Sequence, residues 1–389
     1  MAAEPLRLGV VGVGVLALRG ILPHLTQPDV ADRVVVTALC DPVTERAAAV
    51  ADRFGVGTTF TDASELVRSD AVDAVTIVSP IGLHYEHSKL ALEAGKHVHV
   101  NKTMSTTLAE ADELIELARA RDLRIVASPG EILRPQITRT RDLIREGAIG
   151  KVAWAICGTP FASYHEADEP ERLGEVGGTP INPAWYFRKP GGGPIYDMTV
   201  YALHQLTGVL GPAKRVTAFS AIRVPERVFL GERIAAEADD NTIMLLDFGD
   251  GLFAVAFGTV AGALTDQFAA SFYFGTQGTI EGVLLNGEPF DFPGRELTTH
   301  APVTDWDAQM RVLPHVVGVH RELPEAHVFE DVMQLVDWVR EGRPSPVTAE
   351  HARHVIEIVE KAYSAAETAA TQELTTTFEP AAPAYAAKR

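Results

Sequence analysis

Short unbroken apolar runs alternate with longer amphipathic stretches from the N-terminus to about Gly150. That alternation is what a parallel sheet joined by crossover helices requires. Leu8, Val10, Val11 and Val13 predict a short buried strand running into a helix through Leu25. Val34–Cys40 predicts a second strand, Thr44–Phe54 a helix ended by Gly55, and Thr58–Phe60 a short extended piece. A helix around Ala63–Val67 and a buried strand Ala74–Val78, broken by Ser79-Pro80, follow. His84–Ala94 reads as a helix closed by Gly95, His97–Val100 as a strand and Leu108–Arg121 as a helix. A strand Arg124–Ser128 and a helix near Gln136–Glu146 complete a doubly wound α/β (Rossmann) domain over residues 1–150.

From Lys151 the pattern changes. A strand, Lys151–Cys157, leads into the irregular segment Gly158–Gly193, rich in Gly, Pro, charge and aromatics. Segments of that length without regular structure commonly bind something, so Tyr164, His165, Glu166, Trp185, Tyr186, Arg188 and Lys189 are candidates to line a polar pocket. Gly191-Gly192-Gly193-Pro194 introduces a helix placed at Tyr196–Thr207 and ended by Gly208. Strands are predicted at Arg215–Ala221, Asn241–Phe248, Leu252–Thr259, Phe268–Phe274 and Thr279–Val283, with a hairpin turn at Gly249-Asp250-Gly251. Phe253, Val255 and Phe257 alternate with Ala254 and Ala256, so both faces of one strand are apolar. This predicts an α+β domain over residues 151–389, with a large, predominantly antiparallel, open-faced sheet. Helices would cover one face and a second subunit the other. Two terminal helices, Ala326–Glu341 and one near Ala349–Ala369 capped by Thr348, are expected to pack back on the first domain. His351 and His354 lie three apart on the latter, where solvated side chains are expected rather than metal ligands.

Gly12-x-Gly14-x-x-Ala17 sits where the first strand meets its helix, the G-x-G-x-x-A form of the dinucleotide-binding fingerprint. Gly12 allows the tight turn, Gly14 lets backbone approach a pyrophosphate, and the helix start at Val15 and Leu16 offers unpaired N–H groups to its phosphates. Asp41 ends the second strand, where a carboxylate accepts from a ribose diol and repels a 2′-phosphate, which favours NAD. Arg46, one turn on, leaves NADP open. Asp41 also suits a cap for the helix that follows. Ser79 and Asn101 end two further strands on the same sheet edge, and Lys102 stands just beyond.

The net charge of −18, from 52 acidic and 34 basic residues, argues against nucleic acid or an anionic membrane as partner. Cys40 and Cys157 lie in strand-like runs and read as buried thiols. With no apolar run of bilayer length and no signal-peptide pattern, a cytoplasmic protein without a metal site is expected.

Together Gly12-x-Gly14-x-x-Ala17, Cys40-Asp41, Ser79-Pro80-x-x-x-His84-x-Glu86, and Ala94-Gly95-Lys96-His97-Val98 running into Lys102 resemble the family of glucose–fructose oxidoreductase, inositol dehydrogenase and the rhizopine-catabolism protein MocA. The resemblance implies a two-domain, NAD(P)-dependent oxidoreductase acting on sugars, cyclitols or related polyols. It adds Pro80, His84 and Asn101 to the cofactor-binding set, and it implies a homodimer or homotetramer formed through the second domain's sheet. The family's Glu-Lys-Pro is here Asn101-Lys102-Thr103, its Asn after Ser/Thr-Pro is Ile81, and its helix His is Tyr201.

Asp197, Tyr201 and His204 are spaced i, i+4 and i+7 on one helix face. The resemblance assigns catalysis to Lys102, Asp197 and Tyr201, with His204 a lesser candidate. Trp185, Arg188 and Tyr164 would join Lys102, Asp197 and Tyr201 around the substrate. As a base Tyr201 needs a nearby cation to lower its pKa, a role expected of Lys102. Two further classes stay open: a glycoside-cleaving or epimerising enzyme with transient oxidation, and a non-catalytic dinucleotide sensor.

Overall fold

The computed structural model describes residues 4–161, 183–229, 231–262, 269–297 and 309–380. Six parallel strands, β1 (Leu6–Val11), β2 (Val34–Cys40), β3 (Thr58–Phe60), β4 (Ala74–Ile77), β5 (His97–Val100) and β6 (Ile125–Ala127), form one sheet in the order β3-β2-β1-β4-β5-β6. The strand order reverses between β1 and β4, which opens a crevice at their carboxyl ends. β1 and β4 are buried on both faces, as strands sandwiched between helix layers must be. Around them run α1 (Leu22–Leu25), α2 (Thr44–Phe54), α3 (Ala63–Arg68), α4 (His84–Glu93) and α5 (Leu108–Ala120). Asp62 caps α3, and Thr107 with Glu110 forms a reciprocal capping box at α5.

The first connection departs from the predicted helix through Leu25. A widened π-turn, Ala17–Ile21, precedes α1, and Leu22 N–H donates to Ala17 O five residues back. Pro23 supplies the physical reason. Its ring has no N–H and crowds the carbonyl four residues earlier, and a wider turn relieves the crowding.

After α6 (Pro135–Arg145) the chain enters a mixed sheet built from β7 (Val152–Pro160), β8 (Arg215–Ala221), β11 (Asn241–Gly249), β12 (Leu252–Thr259), β13 (Ala270–Gly275), β14 (Thr279–Glu281), β15 (Leu284–Leu285), β16 (Glu288–Pro289) and β17 (Gln372–Glu373). Their order is β16-β15-β14-β13-β7-β12-β11-β8-β17, and only β7 and β12 pair in parallel. β9 (Glu226–Phe229) and β10 (Glu232–Ala235) form a separate hairpin. Phe268, one of the predicted strand aromatics, lies outside the described residues.

Helices α6, α7 (Val200–Leu210), α8 (Ala326–Glu341) and α9 (Ala349–Thr368) complete the chain. α7 continues through Gly208 and stops at Gly211, whose φ is 93°. Ala155, Cys157, Val216, Met244, Leu246, Ala254 and Ala256 share one core with α7 and the second half of α9. The alternate positions, Trp154, Phe219, Ile243, Leu245 and Phe253, stand exposed on the other face, Phe219 at 82%. Helix α8 packs Val328, Phe329, Val332 and Met333 into the core of β1, while Ala349, Ala352 and Ile356 of α9 join that of β4–β6. Ile81, from the loop after β4, is buried in the second sheet's core.

Cys40 and Cys157 are buried free thiols, and burial pushes Cys40 up to about 12. The prediction for His351 and His354 is corrected, because both are buried. His351 Nε2 bonds Thr207 Oγ1 at 2.7 Å, and His354 Nε2 accepts from Ala213 N–H at 3.0 Å, so the helix face taken for a solvated one is an interhelix seam. No helix among the described residues is long and apolar enough to cross a membrane, and none of their His, Cys, Asp and Glu side chains cluster in threes or more as a metal site requires.

Candidate active site

The glycine-rich turn is built as a cradle. Gly12, at φ 93°, donates its N–H to Cys40 O at 2.8 Å, and a Cβ there would come within 2.8 Å of Ser79 N. A Cβ at Gly14 would meet nothing within 4 Å, which leaves its face open for a ligand's approach. Leu18 N–H donates to Gly14 O, so the first turn's N–H groups at Val15 and Leu16 are of the kind a helix leaves outside its own ladder.

Asp41 is held by the turn it ends. Oδ2 accepts from Val13 N–H at 3.1 Å, while Oδ1 accepts from Val43 N–H at 3.0 Å and from Arg46 Nη1 at 3.1 Å. A carboxylate offers about four acceptor sites, so one remains for a ribose hydroxyl. The open approach at Gly14 and the acid at the β2 end therefore fit a dinucleotide, which Gly12, Gly14, Val15, Leu16 and Asp41 would hold.

His84, expected among the cofactor-binding residues, ties two loops together. It is buried, with Nδ1 2.7 Å from Thr103 O and Nε2 2.7 Å from Ser79 O, and burial holds its pKa down at about 4. It thereby links the loop after β4, with Ser79 and Pro80, to the loop carrying Asn101 and Lys102. Ser79 Oγ bonds His87 Nδ1 at 3.0 Å, and buried Asn101 donates its N–H to Ile77 O at 3.0 Å. The Lys102–Thr103 peptide bond is cis.

The second half of the site comes from the start of α7. A second π-turn, Ile195–Thr199, carries Asp197, whose N–H donates to Gly193 O at 3.3 Å. Tyr196 OH donates to Thr106 O at 2.8 Å, and a Cβ at Gly191 would lie 2.9 Å from Ile81 Cγ2. These contacts press the helix start onto the loops after β4 and β5. There Lys102 Nζ forms an ion pair with Asp197 Oδ1, their side chains only 14% and 5% exposed. The same ammonium lies 5.7 Å from the centroid of the Tyr201 ring.

Tyr201 is nevertheless not the lowered phenol expected. Burial raises its pKa well above 10, and the charges of Glu325, Asp197, Glu131 and Asp331 add to the rise. The Lys102 ammonium beside the ring is itself paired with Asp197. The hydroxyl instead meets His327 Nε2 at 3.0 Å. His327 escapes sequence reasoning altogether: it lies 126 residues away, one position into a helix that follows a stretch with no clear period. Glu131, buried against Arg134 and accepting from Gln205 Nε2 at 2.8 Å, escapes it too. Gln205, four residues beyond Tyr201 on α7, was the one signal available.

His204 does not join this group through any described bond. Its ring packs 4.5 Å from that of His351, and burial lowers its pKa to about 3. Trp185 stacks on Tyr186 in the loop that returns to Gly193, and Arg188 is exposed there. Tyr164, His165 and Glu166 lie outside the described residues.

Comparison with known proteins now decides the family. Residues 6–128 match the model of the oxidoreductase family with an NAD-binding Rossmann fold, and residues 137–281 match the GFO/IDH/MocA C-terminal domain. The chain belongs to the GFO/IDH/MocA oxidoreductase family. A dTDP-3,4-didehydro-2,6-dideoxy-α-D-glucose 3-reductase from Actinomadura kijaniata is 31% identical over 54% of this chain and 57% of its own length. The chain thus spans a little over half the length of the relatives of that kind. A scyllo-inositol 2-dehydrogenase (NADP+) from Bacillus subtilis is 24% identical over 92% of this chain and 93% of its own. The crystal structure of an oxidoreductase domain protein from Kribbella flavida superposes with a TM-score of 0.75 at 22% identity, covering 96% of this chain and all of the other. As a GFO/IDH/MocA protein the chain carries an NAD-binding Rossmann domain, whose Ile81 is buried in the second sheet's core.

Proposed function

We propose that this protein is an NAD(P)-dependent oxidoreductase that moves a hydride between nicotinamide and a secondary alcohol or ketone of a sugar, cyclitol or sugar derivative. The observation that carries this is the meeting of Lys102, from the first domain, with Asp197 and Tyr201, from the second, beyond the carboxyl ends of the strands. When bound, the nicotinamide supplies the two-electron acceptor or donor. Lys102 donates to the substrate oxygen and stabilises developing alkoxide charge, while Asp197 holds the ammonium in place. Tyr201 takes or returns the hydroxyl proton. The names of the sugar reductases and inositol dehydrogenase that the chain resembles support the substrate class.

Asp41 supports NAD over NADP, since its carboxylate stands where a 2′-phosphate would go and Arg46 is committed to it. A panel of sugars, inositols and their keto forms, followed by reduced-nicotinamide absorbance, tests the proposal. Turnover of a polyol with NAD is expected. Tight NADH binding with no turnover anywhere on the panel would instead mark a sensor, and release of free sugar without net NADH change would mark a glycoside-cleaving enzyme.

The exposed face of the large sheet supports self-association, because Trp154, Phe219, Ile243, Leu245 and Phe253 make one apolar patch on neighbouring strands. Phe219→Glu combined with Leu245→Glu should convert a dimer or tetramer to monomers in light scattering while leaving NADH affinity unchanged. A wild-type chain that is already monomeric would contradict this use of the face.

A further inference from the structure

The geometry points to His327 as a positioning residue that carries the proton behind Tyr201, passing it between the phenol and Glu325 at the protein surface. This rests on Tyr201 being the acid/base of the proposed reaction. A phenol buried among carboxylates does not ionise readily. It can accept the substrate's proton only while giving up its own, so an acceptor must already be bonded to the hydroxyl. His327 Nε2, 3.0 Å away, is that acceptor.

The other ring nitrogen fixes the direction. Glu325 Oε2 lies 3.7 Å from His327 Nδ1, beyond hydrogen-bond reach, and its negative charge on that side of the ring favours the tautomer with its proton on Nδ1 and a lone pair on Nε2. Burial together with Arg134, Lys102 and His24 holds the imidazole well below its usual pKa, so it is neutral and able to accept. The groups facing the pair are thus Glu325, Lys102, Arg134 and His24 around His327, with Asp197, Glu131 and Asp331 also acting on Tyr201. A proton arriving on His327 is disfavoured first by burial and then by the Arg134 and Lys102 cations, so it moves on toward the Glu325 carboxylate. Glu325 completes the route: its side chain is 29% exposed and lines a surface cavity with Arg311 and Arg321. It is also tied to the cofactor turn, since a Cβ at Gly20 would lie 2.7 Å from its Cβ and Arg19 Nη2 is 3.7 Å from its carboxylate.

In the oxidative direction the balance is simple. The substrate's O–H proton goes to Tyr201 Oη as the Tyr201 proton goes to His327 Nε2, the Nδ1 proton leaves toward Glu325, and the C–H hydride goes to NAD+. Reduction reverses every transfer.

Two measurements on the full chain test the relay. In 15N NMR of the protein without substrate, His327 should be neutral and protonated on Nδ1, with an Nε2 signal that shifts in Tyr201→Phe. Protonation on Nε2 would overturn the relay, because His327 would then donate to the phenol. In the second, His327→Gln, which keeps an acceptor but carries no proton, is assayed for oxidation of scyllo-inositol or the panel member turned over fastest. Its kcat should fall ~100-fold, with KM and NADH affinity unchanged, and should rise about tenfold per pH unit as hydroxide takes over. Glu325→Gln should show a smaller loss of the same kind. If Tyr201→Phe is slow but His327→Gln keeps the wild-type rate and pH profile, the relay is wrong and Tyr201 stands. If Tyr201→Phe keeps the wild-type rate, the role given to Tyr201 falls and the relay with it.

Discussion

Lys102→Met should lower kcat/KM by ~10²–10³, the usual loss when a donor aimed at a developing oxyanion is removed. It should also destabilise the fold, and the two effects are separable. Lys102 and Asp197 form a shielded ion pair, and Asp197, at 5% side-chain exposure, would lose its ammonium. Removing one partner of a buried pair costs ~3–5 kcal/mol, and the partial exposure of Lys102 places this case at the lower end. Replacing both partners with apolar residues is often neutral. Lys102→Met with Asp197→Leu should therefore recover most of the stability in urea unfolding while remaining as inactive as the single variant. Recovery of activity in the double variant would show that Lys102 serves only to neutralise Asp197.

Two glycines of the cofactor turn should respond in opposite ways. Gly12→Ala forces a left-handed φ on a residue with a Cβ and drives that Cβ to 2.8 Å from Ser79 N, a backbone atom fixed at the end of β4. Strain of that kind costs ~1–3 kcal/mol before the clash is counted, so a clear fall in Tm is expected. Gly14→Val meets open space and should keep the wild-type Tm. It should nevertheless weaken NADH binding at least tenfold in fluorescence titration, since its side chain fills the approach to the turn. Equal Tm losses in both variants, with unchanged NADH affinity for Gly14→Val, would remove this turn from the cofactor site.

Much of the first domain is legible because its central strands are buried on both faces and several of its helices carry their own caps or terminal glycines. Ala74–Ile77 is such a strand, and Gly55 ends α2 with φ 70°. That Lys102 and Asp197 share one site was legible through the family resemblance, which assigned both to catalysis; their pairing is what the fold adds. Where the sequence misled, tertiary contacts had overridden local signals. A π-turn ahead of Pro23 took the place of the predicted helix's regular first turns, Gly208 sat inside α7, and His351 with His354 turned inward because two helices meet there. The chemistry of Tyr201 was hidden most completely. Its pKa is raised first by burial and then by carboxylates that include Glu325, Glu131 and Asp331, and its hydroxyl meets His327, residues far from it in the chain.

Direct transfer of a hydride at a site shared by both domains is the claim on which the rest depends. Incubating the full chain with NAD+ and a panel polyol deuterated at its carbinol carbons, then measuring the mass of the reduced nicotinamide, tests it. Deuterium retained on the nicotinamide by the wild-type chain, with none above background in Lys102→Met plus Asp197→Leu, is the expected result. Reduced nicotinamide that carries no deuterium, or equal labelling by the double variant, would contradict it.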